Sequence, residues 1–526
     1  MSRKLFLARP NMKSPQLVPP EHVKRLLQAA AEAEGRRDLQ QCTELLERAG
    51  RLMPSHAVIP LQLGRIHGLR YDYAAAERCF EQAIRLAQRK TRMLTAIADA
   101  SLSFRRMEIA ERYLRRSLVE PDVTPEVCVK LAELYERMRR LPEAEPFIER
   151  ALQLAPAHPA AMLVRARLER LAGRLSAGER LLLSFINQPV PDVWVHAQAW
   201  YELGNNLDRQ AKYDDAMAAF LEAKALLRPP TGVSPVELKS VHARLKQMES
   251  HLTTELFQRW QDEAAELRPR HRMALLCGYA RSGTTLLEQV LDAHPDIVSA
   301  EETEVFVDDA FAPLKRQSPP DAHILPILEA AGVPALQQAR AAYFRSMELS
   351  IGSPIGDRLL LDKNPMLTFL IPAFARIFPE TKLLVALRDP RDVVLSRFMQ
   401  ALPPGPLSAI FLTLEGTIED YVAVMSTWRT VAPIVPYPSL QVRYEDIVEN
   451  LESVARKTLE FLDVPWNAGV LGFYEHARQK TVRSPTYADV ARPVFKTAVG
   501  RWRNYRKYLE PHLERLEPFV KAFGYE

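Results

Sequence analysis

The chain has 526 residues and 47% hydrophobic content, too long for one domain and apolar enough for large cores. Its 70 Lys and Arg face 65 Asp and Glu; a formal charge of +5 spread this evenly leaves no nucleic-acid footprint. The cysteines, Cys42, Cys79, Cys128 and Cys277, have neither metal-ligand spacing nor a disulfide framework, which excludes a disulfide-rich secreted module and favours a reducing compartment.

At the N-terminus the apolar run Leu5-Phe6-Leu7-Ala8 is too short for a signal peptide, and no later segment approaches a membrane span. A cytoplasmic protein with no membrane contact is expected. Small residues then recur at Cys42, Ala76, Ala110, Ala144, Gly178 and Ala216, at intervals of 34 and finally 38. Leu63-Gly64, Ala76, Phe80 and Ala83 return as Leu203-Gly204, Ala216, Phe220 and Ala223, and Leu131-Ala132, Tyr135, Ala144, Ile148, Ala151 and Pro156 fill the same slots. Small residues let two helices approach while large ones wedge against the next pair. A 34-residue helix–turn–helix period is the tetratricopeptide signature, and an unrelated helical bundle has no need of it. The expectation is an all-α solenoid over residues 21–228, about six repeats with a concave groove. The groove would take a protein acceptor, a protein partner or, as a homodimer, a second copy of the chain. Pro229 to Pro235 punctuate its end, and a polar helical stretch over Val236–Leu267 makes residues 229–267 a helical linker.

Residues 268–526 read differently. Met273–Cys277 is a buried-strand run and Leu286–Leu291 a helix, with Gly278 and Gly283 between them at the spacing of a phosphate-cradling loop. A nucleotide-hydrolysing loop would carry Lys after the second glycine. Thr284 stands there, and Arg281 is the loop's cation. Further on, Leu359 to Leu361 is an apolar run leading to Lys363, and Thr381–Leu387 is a second buried strand that breaks into Arg388-Asp389-Pro390-Arg391-Asp392 and a helix. Pro390 suits that helix's first turn. Arg388 and Ser396, eight residues apart, can turn toward one phosphate, the guanidinium through its planar fork.

The run Arg281-Ser282-Gly283-Thr284-Thr285 resembles the 5′-phosphosulfate loop of sulfotransferases that use 3′-phosphoadenosine 5′-phosphosulfate (PAPS), and is close to that of the tyrosylprotein sulfotransferases. Four more segments follow that family in order: His294-Pro295-Asp296 with Glu301-Glu302-Thr303, Lys363 in its Asp-Lys-Asn-Pro setting, Arg388 with Ser396, and a C-terminal stretch containing Tyr444, Ser484, Arg492-Pro493-Val494 and Arg501-Trp502. The resemblance implies an α/β P-loop-like domain with a central parallel sheet, PAPS as cosubstrate and no metal. It implies Glu302 as the base on the acceptor hydroxyl and Lys363, with Ser484, on the leaving phosphate. Arg281, Ser282, Gly283, Thr284 and Thr285 would bind the phosphosulfate, Arg388 and Ser396 the 3′-phosphate, Tyr444 would lie near the base, and Ser484 and Arg501 would be further donor contacts. Two departures bear on the acceptor: Glu304 and Asp308 stand where the animal enzymes carry cations for acidic peptides. The competing readings are a P-loop nucleotide kinase and a tetratricopeptide scaffold whose C-terminal domain binds nucleotide without catalysis.

Overall fold

A computed structural model describes residues 19–190, 192–228, 236–315, 318–319, 322–405, 408–479 and 493–525. The chain divides into two compact units, Met1–Val190 and Pro191–Glu526.

The first unit holds five helix pairs: α1 (Glu21–Gly35) with α2 (Leu39–Leu52), α3 (Val58–Leu69) with α4 (Tyr73–Leu86), α5 (Lys90–Ser103) with α6 (Met107–Ser117), α7 (Pro125–Arg137) with α8 (Leu141–Leu154), and α9 (Pro159–Leu171) with α10 (Leu175–Ile186). The periodic small residues sit where the helices close on each other: Ala76, Ala110 and Ala144 are fully buried, and Cys42 is 2% exposed. Asp38 and Asp72 cap α2 and α4, accepting from the N–H of Gln41 and Ala75 at 3.0 and 2.9 Å. The turn inside each pair holds one residue at positive φ: Arg37, Tyr71, Arg105, Arg139 and Gly173, again every 34 positions. Partly buried ion pairs span neighbouring repeats, among them Arg65–Glu34 and Arg167–Glu136.

The next pair, α11 (Val193–Arg209) and α12 (Tyr213–Leu227), keeps the repeat pattern but belongs to the second unit. A Cβ on Gly204 would lie 2.7 Å from the Phe220 ring, so the missing side chain is what admits the phenylalanine. Residues 229–235 of the expected linker lie outside the described residues. The rest of the linker forms two helices, α13 (Val236–Glu249) and α14 (Thr254–Glu263). The break falls at Ser250–Thr253, where the Thr253 hydroxyl accepts from the Leu256 N–H at 3.1 Å and starts α14 afresh.

Beyond them lies a five-stranded, all-parallel sheet in the order β2-β3-β1-β4-β5, from β1 (Met273–Gly278), β2 (Ile297–Glu301), β3 (Leu359–Lys363), β4 (Lys382–Leu387) and β5 (Ser439–Arg443). The first four are apolar because helices cover both faces, as a parallel sheet requires. β1 runs into α15 (Thr284–Asp292), and β4 into α16 (Pro390–Phe398), with Pro390 in its first turn. The chain is thus an all-α tetratricopeptide region followed by an α/β domain with a central parallel sheet. Among the described residues no helix is long and apolar enough to cross a membrane.

Candidate active site

Parallel strands all end on one side, and the Arg281–Thr285 loop, Glu302, Lys363, Arg388 and Tyr444 all stand at or just beyond such an end. β1 is the point from which the chain turns to opposite sides of the sheet, and the crevice at the carboxyl ends of such strands is where ligands bind in open α/β folds. Here that crevice is a cleft of about 640 Å³ whose lining includes Arg281, Gly283, Thr284, Thr285, Glu302, Arg388, Ser396, Tyr444 and Arg501. The volume lies within the range of small-molecule sites.

The loop after β1 is bent by two left-handed residues, Arg281 (φ 78°) and Gly283 (φ 90°). Any side chain at Gly283 would sit 2.7 Å from the Tyr444 ring, so glycine serves the turn and the close approach together. Thr284 and Thr285 then open α15, with its N–H groups and positive dipole end facing the cleft. Arg281 Nε donates to Ser396 Oγ at 3.0 Å, which joins the first loop to α16. Ser282 is 3% exposed and does not line the cleft; its N–H closes the loop onto the Tyr279 carbonyl at 3.1 Å.

Arg388 is 8% exposed. It donates to the carbonyls of Arg281 (3.3 Å) and Ala498, stands 3.7 Å from Asp392 and lies over the Tyr444 ring at 5.0 Å. Its buried Nε has no hydrogen-bond partner. A guanidinium edge desolvated without an acceptor costs free energy, and an anionic oxygen in the cleft would relieve it. The residues therefore fit an anionic nucleotide: a helix N-terminus and the Arg388–Ser396 pair stand side by side, linked by Arg281. Among the described residues no group of His, Cys, Asp and Glu could hold a metal ion.

Glu302 follows β2 in the left-handed region, φ 47°, with its N–H on the Lys363 carbonyl at 2.7 Å. A glutamate there is strained, and such strain concentrates at functional positions. The turn brings Glu302 to the cleft while Glu301 stays buried. Lys363 does not line the cleft. Its ammonium is fully buried, 2.9 Å from Glu302 Oε1, 3.3 Å from Glu288 Oε2 and 3.5 Å from Glu301 Oε1. Burial works against that charge, but Glu288, Glu302 and Glu301 outweigh it and hold the ammonium above the usual lysine range.

Arg501 lines the cleft with its guanidinium on Asp208 of α11, at 2.9 Å from Nη2 and 3.3 Å from Nε. Ser484 lies outside the described residues. His294 is a hinge of the backbone: its Nδ1 accepts from the Asp296 N–H at 3.0 Å, so the tautomer that fits has Nε2–H donating to the Pro465 carbonyl at 2.8 Å. Cys277 is buried in β1 and burial pushes its thiol up to about 12, which disqualifies it as a nucleophile.

Sequence reasoning missed several residues around the cleft. Glu288 is fully buried on α15 facing Lys363, and accepts from Ser299 Oγ at 2.9 Å. A glutamate inside the apolar stripe of a helix was the available signal. Asp392 accepts from the N–H groups of Gly500 and Trp502, each at 2.7 Å, and ties the C-terminal segment to α16. Asp208, Arg209 and Tyr213 line the cleft from the α11–α12 turn, and no local motif announced them.

Residues 274–468 match the Sulfotransferase family and residues 127–159 the Tetratricopeptide repeat. An uncharacterized protein of Aquifex aeolicus is 25% identical over 403 residues, 74% of this chain and 50% of that protein. Protein-tyrosine sulfotransferase A of Caenorhabditis elegans is 27% identical over 268 residues, 47% of this chain and 66% of that protein. Protein-tyrosine sulfotransferase 1 of Danio rerio is 27% identical over 259 residues, 47% of this chain and 71% of that one. The chain thus spans half to about two thirds of the first two relatives. Among solved structures, the sulfotransferase domain from the curacin biosynthetic pathway is 16% identical with a TM-score of 0.33, covering 49% of this chain and 99% of that domain.

Proposed function

We propose, for a chain that joins tetratricopeptide repeats to a sulfotransferase-family domain, that the second unit moves a sulfuryl group from PAPS to an acceptor hydroxyl. The observation that carries this is that two donor-rich clusters share one cleft with Glu302: the head of α15 behind Arg281, and Arg388 with Ser396 one hydrogen bond away. The donor supplies an activated sulfuryl group whose transfer releases 3′-phosphoadenosine 5′-phosphate. The chain's own residues do the rest. Thr284, Thr285 and Arg281 hold the phosphosulfate end, and Arg388 with Ser396 hold the 3′-phosphate. Glu302 takes the acceptor's proton at a carboxylate oxygen, and Lys363 fixes that carboxylate by its 2.9 Å hydrogen bond. Lys363 is thereby assigned first to the base; a role at the leaving phosphate requires its ammonium to turn from Glu302.

The curated relatives named protein-tyrosine sulfotransferases make a tyrosine hydroxyl the first acceptor to try. Glu304 is exposed just past Glu302, so a tyrosine in a neutral or basic peptide suits this chain better than one in an acidic peptide. The repeats of the first unit are assigned the binding of a protein or peptide partner.

Calorimetry decides between this reading and a kinase. 3′-Phosphoadenosine 5′-phosphate should bind at least about a hundredfold more tightly than ADP, since the buried Arg388 Nε is left without an acceptor when no 3′-phosphate is present. Equal affinity for ADP, or magnesium-dependent binding of ATP, would overturn it.

A further inference from the structure

We infer that α11 and α12 form a wall of the donor cleft, and that Asp208 is the positioning residue for the cleft's basic side, which rests on the cleft being the nucleotide site. Asp208 lies in the last turn of α11. Its two oxygens take the Arg501 guanidinium at 2.9 and 3.3 Å, and Oδ1 also accepts from the Tyr505 hydroxyl at 2.6 Å. That is a charge-assisted fork, the geometry that best fixes the direction of an arginine. Arg501 Nη2 stands 3.4 Å from the Met399 sulfur, three residues past Ser396, so the aligned guanidinium belongs to the Ser396 side of the cleft. Arg209 and Tyr213 line the same cleft from the same turn.

The wall is anchored, not merely adjacent. Lys224 of α12 is 1% exposed, donates to the Phe411 carbonyl at 2.6 Å and lies 4.8 Å from the ring centre of Phe398, the last residue of α16. The Tyr213 ring packs edge-on against Tyr505 at 5.5 Å. The Phe411 carbonyl bond and these two ring contacts tie α12 to the elements around Ser396 and Arg501. The pair that carries the repeat pattern therefore completes the nucleotide site: the cation of Arg501 is aimed by a carboxylate from α11.

The test is calorimetry on the full chain with 3′-phosphoadenosine 5′-phosphate and with adenosine 5′-monophosphate, which lacks the 3′-phosphate. Asp208→Asn keeps the side-chain shape and should weaken the first nucleotide about tenfold, the scale of one charge-assisted hydrogen bond, while leaving the second unchanged. In an Arg501→Met background Asp208→Asn should cost nothing further, and Asp208→Glu should recover part of the affinity. Wild-type affinity in Asp208→Asn, an equal loss for both nucleotides, or a loss that adds to that of Arg501→Met would overturn the inference. A wild-type chain that binds neither nucleotide would instead overturn the donor reading beneath it.

Discussion

Glu302 and Lys363 are neighbours with different duties, and substitution should separate them. Glu302 is about a third exposed on the cleft, so Glu302→Gln should lower turnover on a verified acceptor by about 10²–10⁴ while product-nucleotide affinity stays level. A variant with near wild-type turnover would remove Glu302 from the mechanism. Lys363→Met leaves Glu288 buried without its countercharge, and breaking such a pair costs about 3–5 kcal/mol. Urea unfolding should show that loss for Lys363→Met and not for Glu302→Gln; equal stability of the two would deny the buried cluster its structural weight. The sequence made the donor loop legible because glycine spacing and a missing lysine are local signals. The partners of Lys363 were not: Glu302 meets it because β2 and β3 pair in register, Glu301 against Lys363, and Glu288 reaches it from α15. Arg501 was legible as a cation, but its carboxylate partner lies 293 residues away.

At the scale of elements, the repeat period foretold the helix pairs and their buried small residues, yet not the turns. The left-handed position recurs every 34 residues but holds arginine at 37, 105 and 139, tyrosine at 71 and glycine only at 173. Composition hides it because packed helix pairs enforce a conformation that costs a non-glycine residue about 1–2 kcal/mol. Arg105→Gly should therefore raise stability, by less than that cost because glycine also gains freedom when unfolded. A fall in thermal midpoint would show that the Arg105 side chain matters more than its backbone. The second element-level expectation concerns α12. Burial first, and the charge of Arg397 second, push Lys224 down to about 7. A lysine depressed in the folded state holds fewer protons there than when unfolded. Stability should thus be penalised below pH 7 and should rise with pH between about 7 and the unfolded lysine value near 10.4. Lys224→Met should flatten that rise in pH-dependent denaturation curves, and an unaltered slope would place the titration elsewhere.

At the scale of the molecule, the repeat pattern and the compact units disagree by one helix pair. The period extends to Arg228, whereas the chain divides at Val190, and α11 and α12 are bound to the α/β domain through Asp208, Asp214 and Lys224. The local mark is slight: Gly204, Ala216 and Phe220 keep the frame's residue types, with the last interval stretched from 34 to 38, and tertiary partners of the pair come from residue 398 onward. The consequence is where function should part from docking. A chain starting at residue 191 keeps the whole lined cleft and should bind 3′-phosphoadenosine 5′-phosphate as the full chain does. A chain starting at 229 loses Asp208, Arg209 and Tyr213, strips the cover from Arg501 and Phe398, and should bind it more weakly and melt earlier. If the first unit serves the acceptor, the shorter loss should leave turnover on a small phenol intact and raise KM for a protein acceptor alone. Weakened nucleotide binding in the 191–526 chain would mean that the first unit also supports the donor site, whereas full binding in the 229–526 chain would leave α11 and α12 with no part in it.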